Sequence, residues 1–227
     1  MTNAAHLGSP VRARRRQVIS GLAAGAQLFL ARHALGAAWH NIDISGSFPR
    51  LSFTMTDATN GRQVTAAAVR GKLVLLYFGY TQCPDVCPLT LHNVSLVLER
   101  LAKPPTGVAM LFVTVDPDRD TLPVLRQYTA AFSPQTVGLR GSANQLARLA
   151  REYRIAYSVS PATSTHPYEV THSSAIFVFD RDGYPRLLVP SLGTTAPDLN
   201  GTAADLARLL RGSSGGLLTR VIRMLSP

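Results

Sequence analysis

Residues 72–80, KLVLLYFGY, constrain the fold more than any other stretch, because this nearly continuous apolar and aromatic run ends directly in TQCPDVCP. Such a run without polar alternation predicts a central strand covered on both faces. After Pro88, the segment LTLHNVSLVLERLAK places Leu91, Val94, Leu98 and Leu101 three or four residues apart. That spacing predicts an amphipathic helix, closed by Pro104 and Pro105. At 227 residues the chain is long enough for one such domain with a sizeable core, and short for two large ones.

The remaining segments alternate in the same way. From Ile42 to Thr56 the sequence alternates weakly, and DATNGRQV supplies a turn at Asn60 and Gly61, which predicts an antiparallel hairpin. VAMLFVTVD at 108–116 reads as the next buried strand, followed by a helix starting at Asp120 or Thr121, with Pro123 tolerated in its first turn. SANQLARLAREY at 142–153 predicts a helix capped by Ser142. Residues 158–171 are polar, lack helical periodicity and read as a loop that delivers His172 to the start of a strand, SSAIFVFD at 173–180. A turn at Asp182 and Gly183 returns PRLLVP antiparallel, and residues 201–211 give a last helix. Strands interleaved with helices, with an early and a late hairpin, predict an α/β domain with a mixed central sheet over residues 39–211.

The two ends read differently. Residues 11–38 run from an arginine-rich stretch through an apolar segment, Val18 to Leu30, to small residues before Trp39, the grammar of an export signal. The apolar segment is shorter than the roughly 20 residues a membrane-spanning helix needs. Arg15 and Arg16 resemble a twin-arginine signal with Val18 in place of the usual phenylalanine, the Sec route stays open, and cleavage is expected near Ala38. If it is retained, residues 1–38 would act as an N-terminal anchor. An exported protein meets an oxidising compartment, be it the periplasm or another extracytoplasmic space. Residues 212–227 form a basic amphipathic tail suited to a docked end or a weak membrane contact.

Separating the export segment also changes the meaning of the charge. The chain carries a formal +10, but five arginines and no acid lie within residues 1–38, so the remainder carries +5. Its basic residues are scattered rather than gathered into a stripe, which argues against a nucleic-acid binder. No glycine-rich phosphate loop is present. Two cysteines are too few for a disulfide scaffold or a four-cysteine zinc site.

Those two, Cys83 and Cys87, are four residues apart where a strand gives way to a helix, so they share a helix face near its N-terminus. Exposed N–H groups and the helix dipole favour negative charge there, and both thiols are expected to ionise more readily than free cysteine. A thiol pair of this kind exchanges with disulfides, ligates a soft metal ion, or closes into a structural disulfide bond. The spacing alone does not choose among the three.

A strand that ends at a cysteine turn and enters an apolar-periodic helix is the arrangement that thioredoxin-like folds use to expose thiols. FGYTQCPDVCP, VTVDPDRDT at 113–121, LRQY after it, and VTHSSAIFVFDRDG together resemble the Sco/SenC family over roughly residues 45–211. Members are exported or membrane-tethered copper-handling proteins of thioredoxin-like fold that assist assembly of the copper centre of cytochrome c oxidase. The resemblance implies one copper ion per chain held by Cys83, Cys87 and His172, with Asp116 shaping the copper loop or orienting a ligand. It implies the copper-accepting subunit of cytochrome c oxidase as partner, with other copper chaperones or thiol-disulfide reductants beside it. Two thiolates and an imidazole suit Cu(I). The implied activity is that of a copper metallochaperone. The rival reading is a thiol–disulfide oxidoreductase in which Cys83, the more exposed cysteine, attacks and Cys87 resolves, keeping partner copper-site cysteines reduced.

Other residues near these segments carry weaker expectations. His92 lies a turn beyond Cys87, His166 sits in the polar loop, Asp85 separates the cysteines, and Phe78 and Tyr80 read as packing. Thr171 stands where many relatives have an aspartate before the histidine, and Leu122 separates a threonine and a proline that relatives usually join. Neither departure removes a ligand.

Overall fold

The structure is a computed structural model that describes residues 38–101 and 106–212. The expected export segment up to residue 37, the closing prolines 104 and 105, and the tail beyond residue 212 lie outside the described residues. In chain order the elements are β1 (Ile42–Asp43), β2 (Thr54–Asp57), β3 (Gln63–Thr65), β4 (Leu73–Gly79), α1 (Val86–Glu99), β5 (Val108–Thr114), α2 (Leu122–Ala130), β6 (Thr136–Arg140), α3 (Ala143–Glu152), β7 (Tyr157–Ser160), β8 (Glu169–His172), β9 (Ile176–Phe179), β10 (Pro185–Val189) and α4 (Leu199–Gly212). A short 3-10 turn at Ala66–Val69 follows β3.

Eight strands make one mixed sheet in the order β1-β10-β9-β4-β5-β6-β2-β3. β4 and β5 run parallel in its middle, and every residue of both is buried. Their apolar runs are continuous for that reason. β6 continues the parallel set beyond β5, whereas β9 lies antiparallel on the other side of β4. Helices flank the sheet: α1 packs against α4, and α2 packs against β6. No helix among the described residues is long and apolar enough to cross a membrane.

Local chemistry explains where the helices begin. α1 starts at Val86, so Pro88 falls in the first turn, where a helix leaves its N–H groups unused. α2 takes Thr121 as its N-cap, with Pro123 in its first turn. α3 carries a capping box, in which Ser142 Oγ accepts from the Gln145 N–H at 3.3 Å and Gln145 Oε1 accepts from the Ser142 N–H at 2.8 Å.

Two expectations change. The early hairpin is confined to β2 and β3, while Ile42 and Asp43 cross to the opposite edge and pair with Leu188 and Leu187 of β10. A turn at Ser47, with Gly46 at φ +78°, separates the two segments. The polar stretch after residue 157 is not a loop throughout. β7 and β8 pair antiparallel as a second, two-stranded sheet, with Tyr157 opposite His172, so the histidine ends β8 rather than starting β9. Residues along this ribbon alternate between exposed and half-buried, and a ribbon with one wet face needs no apolar run.

Candidate metal centre

The centre forms where β4 meets α1. The Cys83 N–H donates to the Tyr80 carbonyl at 3.3 Å, closing the turn after the strand. The Asp85 side chain makes no capping bond to α1, and the Cys83 sulfur serves instead, accepting from the Cys87 N–H at 3.4 Å. The turn thereby holds one sulfur at the helix start, 9% exposed, while Cys87 points inward and is 0% exposed.

Cys87 reaches that depth because Gly79 opposes it. A Cβ on Gly79 would lie 2.8 Å from Cys87 Sγ and 2.8 Å from Phe112 Cε2. Tyr77, itself fully buried, donates its hydroxyl to Cys87 Sγ at 3.6 Å. Burial pushes the Cys87 thiol up to about 12, with the Tyr80 backbone and Tyr77 hydrogen bonds working in the other direction. The expectation that both thiols ionise readily therefore fails for Cys87. The helix terminus cannot offset the loss of water around a sulfur sealed beneath it.

From the other side, β8 brings His172 to within 3.2 Å of Cys87 Sγ through Nε2. Its Nδ1 lies 3.1 Å from the Ser173 carbonyl, which can only accept, so Nδ1 carries the proton and the Nε2 lone pair faces the sulfurs. Burial holds His172 below the usual imidazole range, opposed by the hydrogen bond to the Ser173 carbonyl. Its ring stands edge-on to Tyr77 and Tyr80, with centroids 6.0 Å and 5.7 Å away. The ligand atoms of Cys83, Cys87 and His172 all lie within 4.8 Å of one another, and among the described residues no other such group forms. A neutral imidazole and two free cysteines at this spacing can ligate a metal ion.

The remaining expectations sort clearly. Asp116 lies 1% exposed at the end of β5 and touches none of the three: its carboxylate accepts from Tyr168 and Arg119, and its N–H donates to Thr114 Oγ1 at 3.0 Å. His92 is exposed on α1, and exposed His166 bonds to its neighbours Thr165 and Thr163. Phe78 packs in the core, whereas Tyr80 flanks the histidine. The Thr171 hydroxyl pairs with Ser158 at 2.7 Å, across the β7–β8 ribbon.

Asp120 has a larger part than its expected place at a helix start. Fully buried, it accepts from the Thr81 N–H at 3.0 Å, the Thr81 hydroxyl at 2.6 Å and the Thr114 hydroxyl at 2.6 Å, tying the cysteine turn to β5. The acid-rich turn after a buried strand was the one available signal, and it did not reveal the convergence.

Comparison with known proteins bears on this geometry. Residues 47–209 match the SCO1/SenC family. The chain belongs to the SCO1/SenC family. It is 44% identical over 125 residues to the mitochondrial SCO2 homolog of Bos taurus, covering 54% of this chain and 47% of that protein. To the human mitochondrial SCO1 homolog it is 35% identical over 133 residues, covering 58% of this chain and 44% of the relative. The chain thus spans about half the length of the curated relatives it matches. Among solved structures, copper-bound ScoI of Bradyrhizobium japonicum superposes with a TM-score of 0.61 at 36% identity, covering 70% of this chain and 98% of that one. Copper-bound yeast Sco1 gives 0.61 at 28% identity, covering 72% and 90%. The fold is the thioredoxin-like fold of these Sco proteins.

Proposed function

We propose that the SCO1/SenC chain is a copper metallochaperone that holds one copper ion through Cys83, Cys87 and His172 and passes it to the copper-accepting subunit of cytochrome c oxidase. The observation that carries the reading is the convergence of two sulfurs and one imidazole nitrogen within 4.8 Å. Its place in the SCO1/SenC family and its likeness to copper-bound Sco structures support copper as the cargo. The arginine-rich, then apolar, N-terminal sequence supports export to the compartment where such an acceptor resides.

The residues divide the work. Two thiolates and an imidazole make a small, soft donor set that Cu(I), with its filled d shell, accepts in three-coordinate form. As each Cu–S bond forms, its thiol proton leaves to solvent, while the Nε2 lone pair of His172 binds without losing a proton. Cys87 is the deeper of the two sulfurs. Cys83, the more exposed sulfur, is the thiolate an incoming acceptor thiolate displaces first, and docking beside the turn raises the effective concentration of that thiolate.

His172→Ala tests the assignment. Competition against a chromophoric Cu(I) chelator is expected to show affinity lowered about tenfold or more, the scale on which even partners that only orient a ligand act. Thiol–disulfide exchange with a small disulfide should proceed as in the parent protein. Unchanged copper affinity with rapid exchange would remove the three-ligand centre and favour the oxidoreductase reading.

A further inference from the structure

His172 stands on an arm outside the main sheet. β7 and β8 pair with each other and with no strand of the eight-stranded sheet. A lone two-stranded ribbon is marginal in water, so side chains must hold it in place.

One set of contacts lies at the far end of β8. The Tyr168 hydroxyl, just before that strand, donates to Asp116 Oδ1 at 2.8 Å. Arg119 Nε donates to the other carboxylate oxygen, and the guanidinium carbon lies 3.6 Å from the centre of the Tyr168 ring. Arg119 Nη1 also donates to Gln82 Oε1 at 3.1 Å, and Gln82 is the neighbour of Cys83. The Asp116 N–H rests on Thr114 Oγ1, whose hydroxyl reaches Asp120, and Asp120 holds Thr81. A single guanidinium therefore joins the cysteine turn, the end of β5 and the arm carrying the histidine.

We propose that Arg119, Asp116 and Tyr168 form a clasp that closes the β7–β8 arm over the cysteine pair, with Arg119 and Tyr168 acting as positioning residues for His172. The proposal rests on the reading of Cys83, Cys87 and His172 as ligands. Charge-assisted hydrogen bonds and a stacked guanidinium are the strong members of their classes, and Asp116 offers them a buried carboxylate. An arm closed for only part of the time lowers apparent affinity in proportion to the closed fraction. A lysine at position 119 would keep the charge but lose the planar fork that stacks and donates at once.

The test uses the full chain, with Cu(I) ions titrated against a chromophoric chelator and amide hydrogen exchange followed on the metal-free protein. Tyr168→Phe keeps the ring beneath Arg119 and removes the hydroxyl, and Arg119→Lys removes the fork. Each is expected to lower Cu(I) affinity about tenfold, the lower end for a hydrogen bond to a charged group. Each should also speed exchange in β7 and β8 while leaving β4 and β5 as they were. In a His172→Ala background neither substitution should weaken copper further, because the clasp acts through the imidazole. An equal loss in that background would overturn the proposal, as would Tyr168→Phe protein with parent-like affinity and exchange. If His172→Ala alone leaves copper affinity unchanged, the ligand reading falls. Exchange then decides the clasp by itself: acceleration confined to the arm supports it, and parent-like rates overturn it.

Discussion

Cys83 and Cys87 stand one helical turn apart yet meet different surroundings, 9% against 0% exposed, with Cys87 pushed up to about 12 by burial. The thiolate is the reactive form, so a high value and no access both retard Cys87. In reduced, metal-free protein at neutral to mildly basic pH, iodoacetamide is expected to alkylate Cys83 well before Cys87, read by peptide mass mapping over time. Equal rates would show that Cys87 is not sealed. The sequence located both sulfurs, because prolines and a helix start are local signals. It misjudged their chemistry because inward or outward direction is set by Gly79 and Tyr77, which meet Cys87 only in the fold. Asp120 was hidden for a related reason: its donors come from the ends of two strands, Thr81 after β4 and Thr114 on β5.

At the scale of elements, the close approach of α1 to the end of β4 depends on a missing side chain. Gly79→Ala would set a methyl group 2.8 Å from both Cys87 Sγ and Phe112 Cε2, and Phe112 lies deep in the core with little room to yield. Overpacking of this kind costs about 1–3 kcal/mol, so a lower urea midpoint at unchanged slope is expected. A parent-like midpoint would mean that the helix shifts freely. Sequence patterning revealed β4 and β5 as continuous apolar runs, α1 by its apolar spacing, and α2 and α3 by their helix-start residues. It failed for β7 and β8, whose Ser, Thr and Glu residues face water on one side, and for β1, whose two residues are too few to carry a pattern.

For the whole molecule, an α/β domain with a mixed sheet was legible, but strand order was not, since the choice of edge for β1 depends on a distant helix. Asp205 on α4, 2% exposed, accepts from the His40 N–H at 3.0 Å, the Asn41 N–H at 2.9 Å and Asn41 Nδ2 at 2.9 Å. Asp205→Ala is expected to destabilise the domain by about 3 kcal/mol, as donors lose a charged acceptor, measured by urea unfolding. A loss no larger than that of an exposed substitution would show that β1 is held by its pairing alone. That pairing joins Ile42 to Leu188, near opposite ends of the domain. On the ribosome β1 is the first strand of the sheet to emerge and β10 the last, so the first waits on the order of ten seconds for its partner. The sheet can be completed only after its final strand has been translated.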